Sequence, residues 1–338
     1  MMGALPRGQK SRRRRNRVTI AAGFKCEGGI VLCADTQETS GDIKLSVQKL
    51  VRYEREWCQA GLAGSGWNGI LIDTLIQNIM HALDRGYDDI GRIEQAISHT
   101  LARFYRRDIS LHPNLDGYEK VIDLLIALKP KGEDRVWLFR SEAASLKEVA
   151  TQDVIGCGDV IRYVAHSLYR DNMPMSQAVT LGVHLVSLAK KHVDKVGGET
   201  NILEITSDGR LGWERIEDSE RQERFLDRFN EALKEITLLF PDTSIPNDEV
   251  FQKLAIVFAR LKELREQYFD EAIQSDLIQA ITDPDGFQGH TYEHFRPGTM
   301  FRIGSEAMRV YEDSNREDRE RAQREHEAQE SNKESDKK

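Results

Sequence analysis

Two groups of residues in this sequence have types and spacing that could do chemistry. The first lies within Val18 to Lys49, VTIAAGFKCEGGIVLCADTQETSGDIKLSVQK. Thr19 opens an apolar run, Asp35 ends a second one, and Lys49 follows a polar loop. A hydroxyl, a carboxylate and an ammonium so spaced act together only if the chain folds them into one place. The second group is His290-Thr-Tyr-Glu293-His294, which fits the inverted zinc-protease pattern H-x-x-E-H. That chemistry needs both histidines on one helical face. Pro284, Gly286, Gly289, Pro297 and Gly298 surround the motif and argue for a loop, and no downstream glutamate stands out as a third ligand. The glycine run from Gly61 to Gly69 lacks the Lys-Ser/Thr ending of a phosphate loop and reads as a turn.

The elements that must position these residues follow from pattern. Val18 to Phe24 and Ile30 to Ala34 are β-rich runs joined by a turn at Cys26-Glu27-Gly28-Gly29, a hairpin signature. Neither run alternates, so both faces of each strand are expected to be covered. Trp57 to Gly64 reads as a strand ending in a glycine-rich turn. Helical spacing then predicts one helix from about Asn68 to Gly86 and another over Ile90 to Arg107. Val121 to Leu128 and Val136 to Phe139 read as a strand pair about Pro130-Lys131-Gly132. Two more helices, Val160 to Tyr169 and Ser176 to Val193, precede a strand at Asn201 to Ile205. Strands, two helices, strands, two helices, strands suit an α+β fold, a four-layer α-β-β-α sandwich.

The stretch resembles the N-terminal part of proteasome β subunits and their bacterial ring-forming peptidase relatives. The matching residues are Thr19, Gly29-Ile30-Val31-Leu32-Cys33-Ala34-Asp35, Thr39-Ser40-Gly41, Lys49 and Ala60-Gly61-Leu62-Ala63-Gly64. Ile155-Gly156-Cys157-Gly158 and Gly197-Gly198 continue the series, so the resemblance spans residues 18 to 215. It implies an N-terminal-nucleophile-hydrolase fold and a threonine-type endopeptidase. An N-terminal threonine serves as nucleophile and base at once, because its free α-amine takes the hydroxyl proton. A nearby lysine holds that amine's pKa down, and an aspartate holds the lysine. By resemblance Thr19 is the nucleophile, Lys49 the lysine and Asp35 the aspartate, with the Gly64 N–H facing the oxyanion. Cys157 and Asp194 fall at supporting positions. Thr39 would pair with an extended peptide, and Glu38, Val47 and Leu62 fall near the specificity-pocket positions. The resemblance further implies a homo-oligomer, ring or stack, acting on unfolded polypeptides, with an ATP-dependent unfoldase as partner and no cofactor.

The departures define a competing reading. Val18 stands where precursors carry glycine, Cys157 and Val196 stand where serines support the site, and Asp194 matches only with spacing one residue shorter. The loop between Thr39 and Lys49 is two residues short. A hydroxyl network that loses members works less well or not at all. A non-catalytic structural or gating subunit of a similar particle is therefore the alternative.

Composition bounds the rest. Of 338 residues 39% are apolar, enough for a core, and 31% are charged, which predicts polar appendages. Net charge is −8, yet residues 1–17 hold Arg7, Lys10, Arg12 to Arg15 and Arg17 with no acid. The remainder is acidic, which argues against nucleic-acid binding by the body of the protein. No apolar run approaches membrane-spanning length, and Cys26, Cys33, Cys58 and Cys157 read as reduced thiols, so the cytoplasm is expected. Residues 1–18 read as a basic leader, 19–215 as the peptidase-like domain and 216–309 as a helical extension breaking at Pro241 and Pro246. Residues 310–338 form a charged tail that cannot bury a core.

Overall fold

The computed structural model of the chain describes residues 19–40, 43–66, 68–112, 121–156 and 159–282. The two apolar runs form an antiparallel hairpin, β1 (Ile20–Cys26) and β2 (Gly29–Asp35), in which Cys26 faces Gly29. Gly28 turns the chain at φ +80°, a conformation that costs glycine no steric strain. A small hairpin follows, β3 (Gln37–Ser40) and β4 (Ile43–Ser46).

Two five-stranded sheets then assemble among the described residues, with every neighbouring pair antiparallel. β5 (Leu50–Glu54), β6 (Cys58–Ser65), β7 (Asp123–Pro130), β8 (Trp137–Glu142) and β9 (Ser145–Glu148) lie side by side in that order. The other sheet joins the hairpin to β10 (Gln152–Gly156), β11 (Thr200–Thr206) and β12 (Leu211–Trp213), in the order β10-β1-β2-β11-β12.

Helices cover the outer faces. α1 (Gly69–Leu83) and α2 (Ile90–Phe104) pack Leu75, Ile79, Ile93 and Leu101 against Leu62, Leu124 and Ile126 of one sheet. The Asn68 side chain caps α1 by accepting from Leu71 N–H, and Asp89 caps α2 through Arg92 N–H. α2 runs on into a π-helical turn, Tyr105–Ile109. α3 (Asp159–Leu168) and α4 (Met175–His192) pack Ile161, Val183 and Val186 against Ile20, Phe24, Val31 and Cys33 of the other. Between the sheets lie Ala21, Ile30, Leu32, Ala63, Leu125, Leu138 and Leu203. This is the α-β-β-α sandwich, and it explains the missing alternation in β1 and β2: each side chain meets either the partner sheet or a helix. Small residues let the sheets close. A Cβ on Gly61 would come within 2.7 Å of Leu203 Cδ2.

Sequence pattern finds the helices and the long strands but not β3, β4, β9, β10 or β12. These are short, three to five residues, and their pairing is set by tertiary context. Burial pushes the Cys26, Cys33 and Cys58 thiols up to about 12, in keeping with reduced, unreactive cysteines.

α5 (Ile216–Leu239) continues the same unit, which runs to Leu238. Leu226 enters the helix-side core, and Glu223 accepts from Lys190 Nζ at 2.6 Å and from the Thr200 hydroxyl. A second unit begins at Leu239 and contains α6 (Asn247–Thr282), with Asp248 and Glu249 in its first turn. Val250, Leu254, Val257 and Leu264 of α6 are buried, while Phe251, Ile256, Phe258 and Ile278 are exposed.

Candidate active site

Thr19 immediately precedes β1 and is 7% exposed. It continues the alternation that sends Ala21 and Gly23 toward the opposing sheet. Gly156, at the end of β10, faces Ile20 in register with φ +93°. A Cβ there would lie 1.7 Å from the Thr19 carbonyl oxygen, so only glycine permits this approach.

Asp35 ends β2 with its side chain fully buried. Its Oδ1 accepts from Lys49 Nζ at 2.8 Å and from Ile20 N–H at 3.2 Å, and its Oδ2 accepts from Gly197 N–H at 3.2 Å. Burial pushes the Asp35 carboxyl above its ordinary value, while the Lys49 ammonium and these N–H groups pull against it. Lys49, 9% exposed in its side chain, also donates to the Gln37 carbonyl. One carboxylate thus holds Lys49 and the N–H of Ile20, the residue that follows Thr19 in the chain.

Gly64 is near the end of β6, next to the strand that Lys49 leads into. Leu50 faces Ala63 in the β5–β6 register, and one step further sets Lys49 opposite Gly64, just beyond the end of the β5 ladder. The glycine is also demanded by packing: a Cβ would come 2.2 Å from Ile72 Cγ2 on α1.

The other expected residues are scattered. Thr39 Oγ1 accepts from Gln37 Nε2 at 3.2 Å on the β3–β4 hairpin. Glu38 reaches over the start of α1, where a Cβ on Gly69 would be 3.1 Å from its Oε1. Val47 is half-buried, with its N–H on the Thr36 carbonyl at 2.7 Å. Leu62 is fully buried under α1 and α2 and offers no surface to a substrate. Asp194 is exposed on the turn after α4 and does not join the Asp35–Lys49 pair. Val196, where a supporting hydroxyl was expected, is buried in the helix-side core. Cys157 and the motif His290, Glu293 and His294 lie outside the described residues. Among the described residues no cluster of histidine, cysteine and carboxylate side chains is arranged to hold a metal ion.

Sequence reasoning missed the part played by Gly197. The signal was present in the Gly197-Gly198 pair. A Cβ on Gly197 would sit 2.5 Å from Gln37 Oε1, and Gly198, at φ +74°, would place one 2.4 Å from Thr36 Oγ1. The two glycines let this loop press its N–H onto Asp35.

Two antiparallel sheets stacked between helix pairs define the N-terminal-nucleophile-hydrolase fold. Solved structures agree with it. The Gly-1 mutant of Anbu from Hyphomicrobium sp. strain MC1 superposes with a TM-score of 0.54 at 17% identity, over 65% of this chain and 99% of that one. Anbu, the ancestral beta-subunit, from Yersinia bercovieri gives 0.56 at 13%, over 68% and 100%. The helical assembly of the Anbu complex from Pseudomonas aeruginosa gives 0.54 at 13%, over 68% and 99%. At these identities the likeness is one of fold. No family model and no curated protein matches the sequence.

Proposed function

We propose that this chain is a threonine-type endopeptidase acting on unfolded polypeptides inside a homo-oligomeric particle. The observation that carries the reading is the Asp35 carboxylate, which holds Lys49 Nζ and the N–H next to Thr19 at once. In the proposed mechanism residues 1–18 are removed, and the free α-amine of Thr19 accepts the proton of its own hydroxyl as that oxygen attacks a carbonyl. Lys49 favours the neutral amine by like-charge repulsion, and Asp35 fixes Lys49. The Gly64 N–H faces the developing oxyanion. Thr39 and the hairpin that bears it would pair with the extended substrate, and Glu38 and Val47 would border its side chains.

The Pseudomonas aeruginosa neighbour is described as a helical assembly, which supports an oligomer, ring or stack, for this chain. An ATP-driven unfoldase is the partner such a particle would need. No helix among the described residues is long and apolar enough to cross a membrane.

The second reading is a non-catalytic structural or gating subunit. It is favoured by the burial of Val196 in apolar core at a position where a hydroxyl would support the site. One experiment separates them. Peptide hydrolysis by the purified assembly that is abolished in Thr19→Ala and indifferent to chelators supports the peptidase. A folded, assembled and inert wild-type protein supports the subunit. Chelator-sensitive hydrolysis surviving Thr19→Ala would overturn both in favour of a metal site.

A further inference from the structure

β6 carries a second polar residue into the gap between the sheets. Gly61 and Ala63 face the opposing sheet, and Ser65, two positions on, continues that face. Ser65 is fully buried, and among the described residues its Oγ has no hydrogen-bond partner. Its hydroxyl and the Thr19 backbone converge on one point: a Cβ on Gly156 would lie 1.7 Å from the Thr19 carbonyl oxygen and 2.9 Å from Ser65 Oγ. A buried hydroxyl left unpaired costs stability, and a donor arriving at that point would remove the cost.

We propose that Ser65 is a positioning residue for the α-amine of Thr19, an inference that rests on the threonine-peptidase reading. Once residues 1–18 are gone, the new amine donates one N–H to Ser65 Oγ, which turns the nitrogen lone pair toward the hydroxyl of Thr19. When the amine takes up the hydroxyl proton it becomes an ammonium, and the same bond is charge-assisted and stronger. Ser65 thus supplies, from the opposite sheet, a hydroxyl that Val196 and Cys157 cannot.

The test uses chains made to begin at Thr19 by cleavage of a carrier protein, with serine or alanine at 65. The α-amine is titrated by its rate of acetylation against pH, read by mass spectrometry of the N-terminal peptide. Ser65→Ala should lower the amine's pKa by roughly half to one unit, because the ammonium loses its acceptor. Peptide hydrolysis should lose on the order of tenfold in kcat with KM unchanged, and its acid limb should move down with the amine. In the uncut chain, where the hydroxyl is unpaired, the same substitution should leave the melting temperature unchanged or raise it; in the chain beginning at Thr19 it should lower it. If Ser65→Ala does not fold, Ser65→Cys, a near-isostere with a weakly accepting sulfur, carries the same titration. An α-amine pKa identical with and without the serine hydroxyl overturns the role of Ser65. A shifted pKa in a chain that cleaves no peptide retains Ser65 as the amine's partner and overturns the peptidase reading instead.

Discussion

Lys49 Nζ sits 2.8 Å from Asp35 Oδ1 in a site where the carboxylate is fully buried and the lysine side chain is 9% exposed. The carboxylate also accepts from the N–H groups of Ile20 and Gly197, one from a neighbouring strand and one from a loop. The pair is held by backbone groups as well as by its own charges, and it anchors the first peptide of β1. A charge pair sealed this way is costly to form and costlier to break.

Lys49→Met should strand a buried carboxylate and destabilise the protein by about 3–5 kcal/mol, read by urea unfolding. Adding Asp35→Asn should recover most of that loss, because no uncompensated charge remains. Neither the single nor the double variant should remove its leader or hydrolyse peptide. Equal stability of wild type and Lys49→Met would mean that the pair is not sealed in solution.

Gly64→Ala should destabilise the fold by about 1–3 kcal/mol, as overpacking does, because its methyl group meets Ile72. The double variant Gly64→Ala/Ile72→Ala should be relieved of that strain relative to the sum of the two single changes. A double-mutant cycle by urea unfolding with zero coupling would contradict the packing.

The hairpin was legible because two apolar runs flank a Gly-Gly turn, and α1 and α2 because their apolar residues recur at helical spacing. The pairing of Asp35 with Lys49 was legible only through resemblance; spacing alone does not bring Lys49 back to the end of β2. Gly197 contacts a residue 162 positions earlier, a distance no local pattern spans. Leu62 and Ala63 look alike in sequence, yet strand phase sends Leu62 under the helices and Ala63 between the sheets. Ser65 was not singled out in the sequence, because only the strand register shows that it faces the gap between the sheets.

Stability should fall as pH rises from 5 to 8. Burial, with Glu204 and Asp218 nearby, pushes the Glu214 carboxyl from 4.5 up to about 8. The folded state therefore holds a proton that the unfolded state has released, so this contribution is complete below 4.5 and is lost as pH climbs through 8. Glu214→Gln should flatten the decline in melting temperature over that range. An equally steep decline in the variant would place its origin elsewhere.

The central claim is that Thr19 becomes the first residue and the nucleophile, and the mass of the purified assembled chain tests it most directly. An acylated Thr19 nitrogen cannot act as a base, so residues 1–18 must leave through attack of the Thr19 hydroxyl on the Val18 carbonyl and hydrolysis of the resulting ester. The expected result is a chain beginning at Thr19 in the wild type, a retained leader in Thr19→Ala, and faster trimming in Val18→Gly. A wild-type assembly in which residues 1–18 remain attached would contradict it.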